Sequence, residues 1–118
     1  MLKQIINGRV LTPQGWLEGG SVIIDGNKIL AVSNSDLHIV DAEIIDAKGC
    51  YVVPGGVDLH VHGGGGRDFM EGTEEAFRVA IKAHMKHGTT SIFPTLSSST
   101  VPMIEAACET CEKLMAEE

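Results

Sequence analysis

Val57-Asp58-Leu59-His60-Val61-His62, entered through Pro54-Gly55-Gly56 and left through Gly63-Gly64-Gly65-Gly66, is the stretch on which the fold turns. Side chains alternate between faces along a strand, so Val57, Leu59 and Val61 share one face while Asp58, His60 and His62 share the other. The apolar set suits packing under helices. The polar set is costly to bury unless a metal or a hydrogen-bond network compensates it. Two imidazoles at i and i+2 near the carboxyl end of a strand reach one divalent ion through neutral ring nitrogens. Asp58, one step deeper, is placed to accept a ring N–H and fix a tautomer. The alternative is a pair of ordinary strand histidines, because His-x-His also arises by chance.

Downstream the pattern alternates helix and strand. Thr73–His87 is predicted as a helix, with Thr73 as its N-cap, Glu74 and Glu75 in the first turn and Gly88 as its stop. Its apolar face is Phe77, Ala80, Ile81, His84 and Met85. A strand over Thr89–Pro94 follows, then a helix over Thr100–Met115 whose stripe is Val101, Ile104, Cys108, Cys111 and Met115. Cys108-Glu109-Thr110-Cys111 lies on that stripe, so buried small side chains explain it better than a redox pair or zinc knuckle. His84 reads as a half-buried packing residue, and His87 gains from the helix C-terminus when charged.

Strands alternating with helices of this size imply βα units on a parallel sheet. Such barrels keep their active sites at the carboxyl ends of the strands, where His60 and His62 fall. Two strands and two helices cannot close a sheet. The residues after Gly56 amount to only about a quarter of the roughly 250 that a (β/α)₈ barrel needs. The chain therefore reads as the amino-terminal part of a larger enzyme.

Upstream, residues 1–55 are short β-prone runs punctuated by turns. Leu2–Ile6 and Arg9–Thr12 are split by Asn7-Gly8, and Val22–Ile24 with Lys28–Val32 flank an Asp25-Gly26-Asn27 hairpin turn. Glu43–Asp46 and Tyr51–Val53 complete a small module expected to be antiparallel. Trp16 is its core or interface anchor. The expected division is thus a partial β module over 1–55 and the start of a barrel over 56–118.

The 118 residues carry 16 Asp and Glu against 9 Lys and Arg, a net charge of −7, with 43% hydrophobic residues. That composition is globular rather than disordered. An acidic chain with no basic cluster has no footprint for nucleic acid or an anionic membrane. No apolar run approaches the length of a membrane span, and the first residues do not resemble a secretion signal, so a cytoplasmic location is expected. Three cysteines are too few and odd in number for a disulfide framework.

Val52-Val53-Pro54-Gly55-Gly56-Val57-Asp58-Leu59-His60-Val61-His62 after a small β module resembles the amidohydrolase superfamily, metal-dependent hydrolases on a (β/α)₈ barrel with an appended β-sandwich. The run His62-Gly63-Gly64-Gly65-Gly66-Arg67-Asp68-Phe69-Met70, with Gly88-Thr89-Thr90-Ser91-Ile92-Phe93-Pro94-Thr95, is similar to the N-acetylglucosamine-6-phosphate deacetylase family. The resemblance implies that His60 and His62 hold one ion of a site with one or two divalent metals, zinc or iron. It implies removal of acetate from a phosphorylated amino sugar, and a homo-oligomer, a dimer.

The remaining ligands of that family, a glutamate and two histidines, and its acid/base aspartate belong to later strands. These residues alone are therefore expected to be inactive. Gly63, Gly64, Gly65 and Gly66 are expected to form a flexible exit through which substrate approaches, in preference to a phosphate cradle. Arg67 is read as a solvated loop charge rather than an anion contact. Dihydroorotase-like relatives place an arginine two residues after His-x-His to hold a carboxylate; here that residue is Gly64. A dihydroorotase or hydantoinase remains the alternative enzyme, and a non-catalytic chain that folds with a partner is the alternative of another class.

Overall fold

A computed structural model describes every residue except Asp36, His38 and Glu118. The chain divides into two compact units, Met1–Pro54 and Gly55–Glu118.

The first unit is a five-stranded sheet of β1 (Leu2–Thr12), β2 (Gly15–Asp25), β3 (Lys28–Ser33), β4 (Glu43–Asp46) and β5 (Tyr51–Val52). β3, β2, β1 and β4 lie in that order, with β5 also beside β1. The β2–β3 hairpin forms as the sequence predicts, with Gly26 at φ 56° in its turn. The sheet is mixed rather than antiparallel, because β4 and β5 both run parallel to β1. β4 is reached by a return across the sheet, which has no local sequence signature.

Asn7-Gly8 does not split β1 but bulges it. Asn7 takes φ 56° and the pairing with β2 shifts between Ile5 and Gly8. The bulge receives the turn between β4 and β5: the Gly49 amide donates to the Asn7 carbonyl at 2.7 Å and the Arg9 amide to the Cys50 carbonyl at 2.9 Å. A Cβ on Gly8 would stand 2.4 Å from Val52 Cγ2, so only glycine lets β5 close against this point. Val10, Val22 and Ile23 are buried, together with Gln4, whose amide donates to the buried Ser21 hydroxyl at 2.9 Å. Trp16 is not core. It is 45% exposed, tilted against Tyr51 at 5.2 Å between ring centres, with the Arg9 guanidinium over both rings.

The second unit contains β6 (Gly56–Val61), β7 (Gly63–Gly64), β8 (Arg67–Asp68), a 3₁₀ turn (Phe69–Glu71), α1 (Glu74–Met85), β9 (Thr89–Pro94) and α2 (Val101–Met115). β6 and β9 pair in parallel across the α1 crossover, as a βα unit requires. Phe69, Phe77, Ala80 and Ala107 form its core, flanked by Val61, Ile81, Ile92, Leu96, Cys111 and Leu114. The apolar face of β6 is only partly used: Val61 packs on this core, whereas Val57 and Leu59 are 60% and 70% exposed.

α1 starts where its cap dictates, with the Thr73 hydroxyl accepting from the Ala76 amide at 3.2 Å. Thr73→Ala should lower the stability of this unit by about 1 kcal/mol, read as a shift in its urea midpoint with unchanged slope. α2 is rotated from its expected stripe. Ile104, Ala107, Cys111 and Leu114 face inward, while Val101, Cys108 and Met115 are exposed. The small Ala107 allows close approach to the Phe69 and Phe77 rings, and that contact sets the rotation. Cys111 is half-buried, and burial pushes its thiol above the ordinary value.

Candidate metal centre

β6 carries Asp58 and His60, and His62 follows its last residue. The two imidazoles converge, with Nε2 of His60 3.2 Å from Nε2 of His62 and their ring centres 5.2 Å apart. That spacing fits either an N–H···N hydrogen bond or two ligands of one ion. Donors each about 2.0–2.1 Å from a zinc ion lie roughly 2.9–3.4 Å apart when the angle between them is about 90–110°. Both rings are exposed, so neither is locked by packing. Among the described residues, no group of three or more His, Cys, Asp or Glu side chains gathers about one point. His60 and His62 thus stand as a pair of possible donors, with no third such group beside them among the described residues.

Asp58 does not meet an imidazole. Its carboxylate accepts from the backbone amide of His60 at 3.2 Å, bracing the strand rather than a ring tautomer. The ring partner is one that sequence reading missed: the Ser97 hydroxyl lies 3.4 Å from Nδ1 of His62. Ser97 is brought there by Thr95, which joins the ends of β6 and β9. The Thr95 amide donates to the Val61 carbonyl at 2.8 Å, and the Val61 amide donates to the Thr95 hydroxyl at 3.1 Å. The parallel register pairs Val61 with Pro94, so residues just past Pro94 lie beside His62. Reading the two strands as parallel neighbours brings Thr95–Ser97 near His62 without saying which atom each meets.

The glycine run is a short hairpin, not an open exit. Gly63-Gly64 pair with Arg67-Asp68 through a turn in which Gly65 and Gly66 take φ 61° and 82°. A Cβ on Gly63 would lie 2.1 Å from the Arg67 carbonyl oxygen, and one on Gly64 would lie 2.8 Å from His84 Nε2. His84, expected only to pack, donates from Nε2 to the Gly63 carbonyl at 2.9 Å and fastens the hairpin to α1. Close approach therefore accounts for Gly63 and Gly64, and the positive φ of the turn for Gly65 and Gly66.

Arg67 is not free for an anion. It makes a two-pronged contact with Glu71 at 2.9–3.1 Å and a further one with Glu75 at 3.2 Å. The Arg67 guanidinium, aided by the Asp68 amide, holds the Glu71 carboxyl below its ordinary value of 4.5. A carboxyl depressed in the folded state stabilises the fold above its unfolded pKa, and that contribution disappears as pH falls through the folded value. The Glu71 carboxyl should consequently titrate below its ordinary value by NMR and move upward in Arg67→Met. An unchanged midpoint in Arg67→Met would remove the pairing from the hairpin's support.

The Amidohydrolase family model matches residues 51–116. Over 78 residues the chain is 46% identical to a dihydroorotase of Syntrophotalea carbinolica, covering 64% of this chain and 18% of that protein. Over 113 residues it is 35% identical to a D-hydantoinase of Geobacillus stearothermophilus, covering 93% of this chain and 23% of that protein. The structure of an N-acetylglucosamine-6-phosphate deacetylase from Pasteurella multocida superposes with a TM-score of 0.91 at 24% identity, over 100% of this chain and 31% of that one. This chain thus spans about a fifth of the length of those curated relatives. No helix among the described residues is long and apolar enough to cross a membrane.

Proposed function

The chain belongs to the amidohydrolase family, and from that premise we propose that it contributes the first metal ligands to hydrolysis of the N-acetyl amide of a phosphorylated amino sugar. In this reading residues 1–55 are part of an appended β-sandwich and residues 56–118 open a (β/α)₈ barrel. His60 and His62 hold a divalent ion, zinc or iron, through their Nε2 atoms. Such an ion lowers the pKa of its water, polarises the acetyl carbonyl and stabilises negative charge on it. The chain's own part is positional. β6 sets the two imidazoles side by side, Asp58 braces the His60 amide, and the hairpin packed on His84 fixes where the chain leaves His62. The proton transfers fall to an aspartate beyond residue 118.

The observation that carries the substrate choice is at Gly64. A side chain there meets His84 and the Ala80 carbonyl, and the next cation, Arg67, is held by two carboxylates. Among the described residues, Arg67 is thus not free to read a substrate carboxylate beside the histidines, which suits a neutral acetamide better than dihydroorotate. The likeness in fold to the deacetylase supports the same choice. A second reading, opening of a cyclic amide, draws on the higher sequence identity to the dihydroorotase and the D-hydantoinase.

The test uses a chain extended to the length of these relatives, supplied with N-acetylglucosamine 6-phosphate, dihydroorotate and hydantoin in turn. Acetate release from the first alone is expected. Ring opening of either cyclic amide, without acetate release, would replace the deacetylase reading with the second.

A further inference from the structure

We propose that Ser97 is the positioning residue of the histidine pair, selecting the tautomer of His62 in which Nδ1 carries the proton and Nε2 is the free donor. The inference rests on the metal-ligand reading of His60 and His62, and it adds a residue from a different strand to it.

A neutral imidazole has one protonated and one bare nitrogen, and the hydrogen bond at one decides which the other is. His62 Nε2 faces His60 Nε2 at 3.2 Å, so both cannot carry protons there without clashing. Ser97 is the hydrogen-bond partner of Nδ1, at 3.4 Å. Its hydroxyl is free to accept from Nδ1–H, because a serine oxygen both donates and accepts. The other candidate, Asp58, meets the His60 backbone amide and makes no hydrogen bond to either ring. Ser97 is itself placed by rigid structure: Thr95, two residues earlier, is bonded to Val61 in both directions. The two ring nitrogens of His62 are thus addressed by two strands, Nε2 by its own neighbour on β6 and Nδ1 by the segment leaving β9. Hydrogen-bond partners of this kind are worth about 10–100-fold in metal affinity.

The experiment uses a chain extended to the length of its relatives, with Ser97→Ala and the hydroxyl-retaining Ser97→Thr. In the metal-free proteins, ¹⁵N–¹H correlation spectra of the His62 ring report the tautomer directly. Competition with a chromophoric chelator reports Zn²⁺ affinity. The expected result is a predominantly Nδ1–H tautomer in the parent and in Ser97→Thr, a mixture of both tautomers in Ser97→Ala, and Zn²⁺ binding about 10–100-fold weaker in Ser97→Ala alone. Ser97 is exposed and outside the core, so Ser97→Ala leaves the fold intact, and its amide spectrum away from β6 verifies this. An unchanged His62 tautomer in Ser97→Ala overturns the proposal. A parent that binds no Zn²⁺ overturns the metal reading instead, while the tautomer spectra still decide the part played by Ser97.

Discussion

Phe77→Ala should remove a large part of the stability of the second unit. Phe77 is 1% exposed, its ring centre stands 4.8 Å from that of Phe69, and Ala80 and Ala107 are buried in the same cluster. Truncating a buried phenylalanine costs about 3–5 kcal/mol, from lost transfer energy plus the cavity left behind. A unit of roughly 60 residues has a total stability of about 3–10 kcal/mol. The loss is therefore a large share of what holds α1 and α2 on the β6–β9 pair. The measurement is amide exchange at Ala80, Ile81 and Ala107, whose protection should collapse in Phe77→Ala and survive in Phe77→Leu. Retained protection in Phe77→Ala would mean that the unit is held elsewhere than in this cluster.

Removing either histidine should abolish stable metal retention. In a chain extended to the length of its relatives, His60→Ala and His62→Ala should each weaken Zn²⁺ binding by more than about 100-fold, because losing a ligand exceeds the cost of losing a ligand's hydrogen-bond partner. The double variant should be little worse than either single one, since both ligands serve one ion and their effects do not add. Elemental analysis after dialysis gives the metal content, and treatment of the parent with a chelator should reproduce the loss. Full metal retention in His60→Ala would leave the pair as ordinary strand histidines.

The elements that local chemistry dictates were legible in the residues. Thr73 begins α1, β9 spans Thr89–Pro94, and the Asp25-Gly26-Asn27 turn makes its hairpin. Features set by distant contacts were not. The direction of β4 and β5 depends on a return across the sheet. The inward face of α2 depends on Ala107, a residue too small to stand out in an apolar stripe, fitting beneath two rings. The glycine hairpin carries no side-chain pattern at all, and its shape comes from how near Arg67 and His84 approach.

At the candidate site the convergence of His60 and His62 was legible because alternation along one strand suffices to place them on one face. The roles of Asp58, His84 and Ser97 were not, because each rests on a hydrogen bond to a particular atom that spacing cannot specify.

β6 and β9 have no strand partner but each other among the described residues, so the outer edge of each presents a row of unpaired amides and carbonyls. Leu59 and Phe93, both more than half exposed, lie on these same two strands. Apolar side chains beside an unpaired backbone edge are the combination that recruits further strands from any source. Edges of this kind stay open to pairing with any further strand until one covers them, and such pairing competes with the fold's own completion.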